Sequence, residues 1–394
     1  MPGSSRSFGL AQRLVQKGHE VHLITSERGN KGSAGSWFQT EESGIHVHWF
    51  PVPYSNAMPY RNRLKAFSKF SYLAAKKATS MKSDIVFASS TPLTIALPAV
   101  YAAKRTKIPM VFEVRDLWPE LPIAVGALKN PVAIKAAKFL ELFAYCNSNR
   151  IVALSPGMKD GIVETGYPED LVTVIPNYCE LDLFNADAKK AQELRNQYDW
   201  LQDRPLVIYV GTIGIINGVD YLARLAAATR ILDPEIRFLV LGSGREEGKV
   251  RQLAEHIGAF NQNFFMLPDV AKLQVPAWLA AADIATSLFI DIRAMWANSA
   301  NKFFDALAAG LPIAINYGGW QAEIIQENSA GLVFDVNDIH SSAILLVESI
   351  HNKEWLFRAG AASRRLAEEC FSKDQLAEEL ESVLRQAIDE YNST

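Results

Sequence analysis

A chain of 394 residues that is 49% hydrophobic and 21% charged is too apolar to be disordered and too long for one ordinary core, so two domains are expected. A formal net charge of −3 excludes bulk nucleic-acid binding as the organising function. Three widely spaced cysteines, Cys146, Cys179 and Cys370, form no CxxC pair, which argues against a disulfide frame or a zinc site and fits a reducing, cytoplasmic compartment.

The first helical pattern is Leu10, Ala11, Leu14 and Val15, closed by Gly18 where a helix end favours glycine. EVHLITS then reads as a buried strand, as do DIVFAS (84–89) and MVFEV (110–114), with a helix expected over 92–105. RIVALS (150–155), a helix near 156–165 and VTVIPN (172–177) continue the alternation. A polar stretch with weak periodicity, NADAKKAQELRNQYDW, follows. It sets the expected boundary between a first domain, 1–185, and a second, 186–373. LVIYVG (206–211), IRFLVLG (236–242), NFFMLP (263–268), IATSL (284–288), LPIAIN (311–316) and GLVFD (331–335) form the second strand series. Apolar strands alternating with helices predict parallel sheets covered on both faces, hence two doubly wound α/β domains in tandem. The tail, 374–394, is a charged amphipathic helix. No stretch is apolar enough to cross a membrane, and MPGSSRSFGL lacks the apolar core of a signal peptide.

A doubly wound domain opens with a strand, then a glycine-bearing turn, then a helix. PGSSRS has the character of that turn, with only a methionine and a proline ahead of Gly3. The opening strand of the first domain is therefore expected to be missing.

Three turns of the second domain are candidates for anion binding. Gly211, Thr212 and Gly214 follow one strand directly, and Gly242, Ser243 and Gly244 follow the next, with Arg245 just beyond. Glycine there lets a ligand approach backbone amides. Asn298, Ser299 and Asn301 lead into a helix carrying Lys302 and Asp305. Plain capping by Asn or Ser is the alternative reading, and three such turns at one edge of a sheet weigh against it. The second turn lacks the spacing and the Ser or Thr of a phosphate-binding loop of the GKS/T type, since Val250 stands there. In the first domain, FEVRDLWPELP places Arg115, Asp116 and Glu120 at the end of a strand, as substrate contacts or as a structural ion pair. No metal-ligand spacing and no DxD occur. YRNRLKAFSKFSYLAAKKATSMK (60–82) and KNPVAIKAAKFLELFAY (129–145) are basic amphipathic patterns suited to an anionic membrane surface or to a solvated helix face.

In order and spacing, EVRDLWPE, IPNYCELDLF, YVGTIG, LGSGREE and NKFFDALAAGLPIAI followed by GGWQAEII resemble the family 4 retaining glycosyltransferases of the GT-B fold, closest to bacterial members that build lipopolysaccharide, capsule or exopolysaccharide. The resemblance implies two Rossmann-like domains facing across a cleft. It implies a UDP- or GDP-linked sugar as substrate, with no metal or other cofactor. The donor would meet Gly211–Gly214, Gly242–Arg245, the LPDV segment with Asp269 and Val270, and Asn298 to Asp305, with Asp305 on the ribose. The glycan or lipid-linked acceptor would meet Gly3, Ser4, Arg6, Arg115, Asp116 and Glu120, with Asp116 a catalytic candidate. The C-terminal helix would pack back on the first domain. The protein is expected to be cytoplasmic, with the two basic patterns as the candidates for peripheral contact with the inner face of the plasma membrane.

The chain departs from the family pattern at Ala297, where a glutamate is usual, at Thr212 and Asn217, where a basic pair is common, and at Arg115, often a histidine. Two rival functions share the fold: a nucleotide-sugar 2-epimerase, which needs no acceptor, and a non-catalytic nucleotide-binding scaffold of a polysaccharide assembly complex.

Overall fold

The computed structural model describes residues 6–27, 35–52, 58, 60–90, 92–185 and 188–393. The chain divides into two compact units, Met1–Pro176 with Lys373–Thr394, and Asn177–Ser372.

Unit 1 runs α1 (Arg6–Gln16), β1 (His22–Glu27), β2 (Phe38–Glu42), β3 (Ile45–Pro51), α2 (Tyr60–Thr79), β4 (Val86–Ser89), α3 (Ala96–Thr106), β5 (Met110–Val114), α4 (Glu120–Ala124), α5 (Pro131–Cys146), β6 (Arg150–Ala153), α6 (Pro156–Glu164) and β7 (Val172–Val174). Its strands form two sheets, in the orders β1-β3-β2 and β4-β5-β6-β7. All pairings are parallel except β2 with β3. That hairpin turns through Ser43 and Gly44, both left-handed, the two-residue geometry that matches strand twist. β5 is buried along its whole length, as a central parallel strand must be. Ser155 starts α6 by accepting the Met158 amide at 3.1 Å, so the strand-to-helix turn is written locally.

Unit 2 runs α7 (Ala188–Asn196), β8 (Leu206–Val210), α8 (Asp220–Leu232), β9 (Arg237–Leu241), α9 (Glu247–His256), β10 (Phe264–Leu267), α10 (Val275–Ala280), β11 (Ile284–Ser287), α11 (Asn301–Ala308), β12 (Ile313–Ile315), α12 (Trp320–Asn328), β13 (Gly331–Val333), α13 (Ile339–His351) and α14 (Lys353–Glu369). Its six strands lie in the order β10-β9-β8-β11-β12-β13, all parallel. The order reverses between β8 and β11, the place where open α/β sheets bind ligands at the strands' carboxyl ends. One core of fully buried side chains, among them Tyr209, Leu222, Phe238 and Phe264, fixes the sheet against its helices.

The chain then returns to unit 1 with α15 (Lys373–Asn392), which packs on α1. Arg13 meets Asp374 at 2.6 Å, and His19 and Lys17 meet Glu381 at 2.9 and 3.2 Å. The units part after Pro176, earlier than the 185/186 boundary expected from composition. The physical reason is local: Asn177 Nδ2 donates to the Ser299 carbonyl at 2.7 Å and the Cys179 amide to Phe371 O at 2.8 Å. The segment after Pro176 is thereby stitched into unit 2.

Candidate functional site

The turns after β8 and β9 are bonded to one another through backbone. The Gly211 amide donates to Leu241 O at 3.0 Å, Ile213 N to Ser243 O at 2.9 Å and Glu246 N to Ile213 O at 3.0 Å. The Gly242 amide donates to Leu267 O at 3.0 Å, tying in the end of β10. Gly211 has φ +143°, and a β-carbon on it would meet the Lys302 Cε at 2.8 Å. Conformation favours glycine at 211, and a β-carbon there would displace the end of the Lys302 side chain.

Lys302 comes from the first turn of α11 and places its Nζ 5.2 Å from the Tyr209 ring centroid. Burial lowers its pKa to about 8, against the opposing charge of Asp305. Asp305 is raised to about 6, first by burial, with Lys272 pulling it down and Glu180 pushing it up. Lys272 and Glu180 pair at 3.1 Å. No side chain caps α11, so the simple capping explanation of Asn298, Ser299 and Asn301 does not hold. Three of the sequence signals, Gly211, Gly242 and Lys302, therefore meet at one carboxyl edge, at the switch point of the unit 2 sheet.

The remaining predicted donor residues are less uniform. Thr212, Ser243, Gly244, Arg245, Asp269 and Asn301 are exposed. Gly214 donates its amide to Asn217 Oδ1 at 3.2 Å, so Asn217 shapes the turn from within. Val270 is half-buried beyond β10, and the Asn298 carbonyl accepts the Trp320 indole N–H at 3.1 Å. Ser299 is buried, and its carbonyl holds Asn177. Its hydroxyl accepts from the amide of the same residue.

In unit 1, Arg115, Asp116 and Glu120 follow β5 as expected. Asp116 lines a small cavity with Ser90, Phe112, Trp118 and Tyr145; burial raises its pKa to about 6, with Arg115 opposing. Gly3 and Ser4 lie outside the described residues. Arg6 is buried, its Nε is 2.6 Å from Glu113 Oε1, and its other nitrogens bond the carbonyls of Ile175 and Pro176. A guanidinium buried and bonded in this way from all three nitrogens is a joint of the fold.

Two acids went unread in the sequence. Glu113 is fully buried and also accepts Ser89 Oγ at 2.6 Å. Glu141 on α5 is raised to about 7 by burial, offset by the Tyr145 hydroxyl and reinforced by the Glu120 charge; Tyr145 donates to it at 3.3 Å. Its signal was a single acid inside the apolar run KFLELFAY. Among the described residues no group of three or more His, Cys, Asp or Glu is placed to hold a metal ion.

Comparison with known proteins fits this arrangement. Residues 4–178 match the glycosyl transferase 4-like domain, and residues 190–366 match glycosyl transferases group 1. A protein of Escherichia coli K12, WcaI, provisionally named a colanic acid biosynthesis glycosyl transferase, is 25% identical over 290 residues, covering 70% of each chain. The GDP-mannose-dependent alpha-(1-6)-phosphatidylinositol monomannoside mannosyltransferase of Mycobacterium tuberculosis is 23% identical over 306 residues, covering 76% of this chain and 74% of its own. HepE of Anabaena, solved with UDP and glucose, superposes with a TM-score of 0.71 at 15% identity, over 98% of this chain and 96% of that one.

Proposed function

For this chain, which belongs to the family 4 glycosyltransferases of the GT-B fold, we propose that a nucleoside diphosphate sugar is the donor and that its diphosphate lies against the Gly211 and Gly242 turns of unit 2. The chain is an enzyme of polysaccharide or glycolipid synthesis. One observation carries the finer reading: two glycine turns in backbone contact, with the Lys302 side chain laid across the first. The amides of Gly211, Ile213 and Gly242 are spent on neighbouring carbonyls, so the support for an anion there is the Lys302 ammonium beside backbone that no β-carbon screens.

The chemistry follows from what leaves. When the bond from the sugar's anomeric carbon to the diphosphate breaks, the electron pair departs on a phosphate oxygen. Lys302, Arg245 and the first-turn amides of α11 supply positive potential to that oxygen, with no metal needed for the purpose. The acceptor hydroxyl bonds the anomeric carbon on the face the diphosphate leaves, so configuration is retained. Its proton passes to the departing phosphate. Asp116, ionised for the most part at neutral pH given a pKa of about 6, orients the acceptor hydroxyl on unit 1 beside Arg115 and Glu120. Asp305 accepts from the ribose hydroxyls.

The acceptor is proposed to be a glycan or a lipid-linked glycan of the bacterial surface, met at the inner face of the membrane. The support lies in unit 1. No helix is long and apolar enough to cross a membrane among the described residues, yet α5 exposes Val132 and Phe139 at 77% and 72%, with Leu142 and the basic Lys135 and Lys138 on view. Neighbouring α3 exposes Leu97, Tyr101, Lys104 and Arg105. An apolar face edged with cations and almost free of acids suits an anionic leaflet.

A thermal-shift panel of UDP, GDP and their sugars tests the donor assignment, because a ligand that binds only the folded state raises its melting point. One of the two nucleotides should stabilise the protein, and Lys302→Ala with Arg245→Ala should remove the shift. An unchanged shift in the double variant would remove the diphosphate from this site.

A further inference from the structure

Trp296 sits in a cradle made by two glycines. It belongs to a short 3₁₀ turn, Arg293–Ala297, in the segment leading to α11. A β-carbon on Gly318 would stand 3.2 Å from each of Cζ2, Cη2 and Cζ3 of the indole. A point equally distant from three neighbouring ring atoms lies on the axis through the ring centre, so Gly318 covers one face of the six-membered ring. Gly319, at φ +84°, would bring a β-carbon 2.8 Å from the Trp296 carbonyl oxygen and 2.9 Å from its Cβ. Position 319 therefore calls for glycine by conformation and by space. Trp296 nonetheless stays 38% exposed. With one face covered, the ring presents its opposite face and its rim.

The cradle stands at the carboxyl edge of the unit 2 sheet. Gly318 and Gly319 lie between β12 and α12. Trp320, the first residue of α12, donates its indole N–H to Asn298 O at 3.1 Å, tying the cradle to the loop that delivers Lys302. β12 lies beyond β11 from β8, so the Trp296 ring is on the β12 side of the Gly211 turn. Lys272, whose charge acts on Asp305, follows β10 on the opposite side. A donor with its diphosphate at Gly211 and its ribose at Asp305 would thus point its sugar towards β12.

A single exposed tryptophan is ordinary in itself. Trp296 differs because backbone is shaped around it and because of its neighbours. Ala297, next in the chain, has no carboxylate to accept from sugar hydroxyls. The exposed Arg293 holds its guanidinium 5.9 Å from the ring centroid. A pyranose ring carries C–H groups on its faces, and these lie well against the electron-rich face of an indole through dispersion and weak C–H contacts. Resting on the donor reading above, we propose that the open face of Trp296 is the platform on which the donor's sugar ring stacks, with Arg293 at its border. Sugar selection then works through the fit of an apolar sugar face, where the family pattern has a glutamate.

The test compares nucleotide sugars with their own nucleotides: UDP with UDP-glucose, UDP-galactose, UDP-N-acetylglucosamine and UDP-glucuronate, and GDP with GDP-mannose and GDP-fucose. Oxidation of Trp296 by N-bromosuccinimide is followed in the full chain by peptide mass spectrometry. At least one nucleotide sugar should protect Trp296, while the saturating nucleotide without its sugar should leave it open. Trp296→Ala should weaken that nucleotide sugar by about tenfold and leave the affinity for the nucleotide unchanged, with Trp296→Phe in between. Should Trp296→Ala fail to fold, protection in the wild-type protein decides. A bound nucleotide with no protection by any of its sugars, or equal losses of nucleotide and nucleotide sugar in a folded Trp296→Ala, would overturn the stacking role alone. No binding of either nucleotide in any form would overturn the donor assignment and this platform with it.

Discussion

A β-carbon on Gly242 would collide with the backbone of Gly211, meeting its carbonyl oxygen and standing 2.9 Å from its carbonyl carbon. Two loops that are far apart in sequence are thus pressed together with only hydrogen between them. Gly242→Ala should force backbone to move, at a cost of about 1–3 kcal/mol, and should weaken nucleotide binding. Gly248→Ala is the control. Nothing lies within 4 Å of a β-carbon there and the residue is helical, so a gain of up to about 1 kcal/mol is expected. Urea unfolding of both variants checks the pair.

Lys302 gives a pH signature with two opposite signs. Its folded pKa of about 8 lies below the usual 10.5, so between those values the unfolded chain holds more protons. Its contribution to the stability of the unliganded protein should therefore rise as pH climbs from about 8 towards 10.5. Diphosphate binding needs the ammonium, so affinity should fall over the same range, by up to about tenfold per pH unit above 8. Calorimetric titration from pH 7 to 9.5 measures this, and Lys302→Ala should flatten both trends.

Asp305 is held at about 6 by burial, above its usual 3.8. The folded state then binds the extra proton between those values, and stability contributed by this group is lost as pH rises through about 6. Asp305→Asn should raise the melting temperature of the unliganded protein at pH 7. The same change should cost about 1.5–3 kcal/mol of nucleotide binding if the carboxylate accepts from the ribose. Melting curves with and without nucleotide separate the two effects.

Arg6 is predicted to matter for folding and not for acceptor recognition. Removing one member of the buried Arg6–Glu113 pair should cost about 3–5 kcal/mol. Arg6→Met with Glu113→Leu should cost less than either single change. Denaturant unfolding of the two single variants and the double variant makes the comparison.

The α5 face should carry membrane contact. Val132→Asp with Phe139→Asp alters two exposed side chains, so the fold should be kept. Co-sedimentation with vesicles rich in anionic lipid should drop at least about tenfold, and raised salt should weaken the wild-type interaction.

Much of the fold was legible because buried parallel strands leave unbroken apolar runs. LVIYV, RFLVL and MVFEV admit little else. β2 was not, since FQTEE is only half covered and owes its pairing to β3. The glycine turns were readable because a glycine directly after a buried strand has a local cause. The contacts of Arg6 and Ser299 were hidden for the opposite reason. Their partners, Glu113 and Asn177, lie 107 and 122 residues away, and no local pattern distinguishes a charge awaiting substrate from one already paired. Glu141 escaped notice because its importance comes from burial against Tyr145, a property of packing. The domain boundary moved for a similar reason: Asn177 and Cys179 choose unit 2 through distant partners.

Hydrogen exchange with and without saturating UDP or GDP addresses the diphosphate site most directly. The prediction is slowed exchange in residues 211–217, 242–247 and 298–305 together, weakened in Lys302→Ala. Slowed exchange confined to unit 1, or none in these three segments with a nucleotide shown to bind, would contradict it.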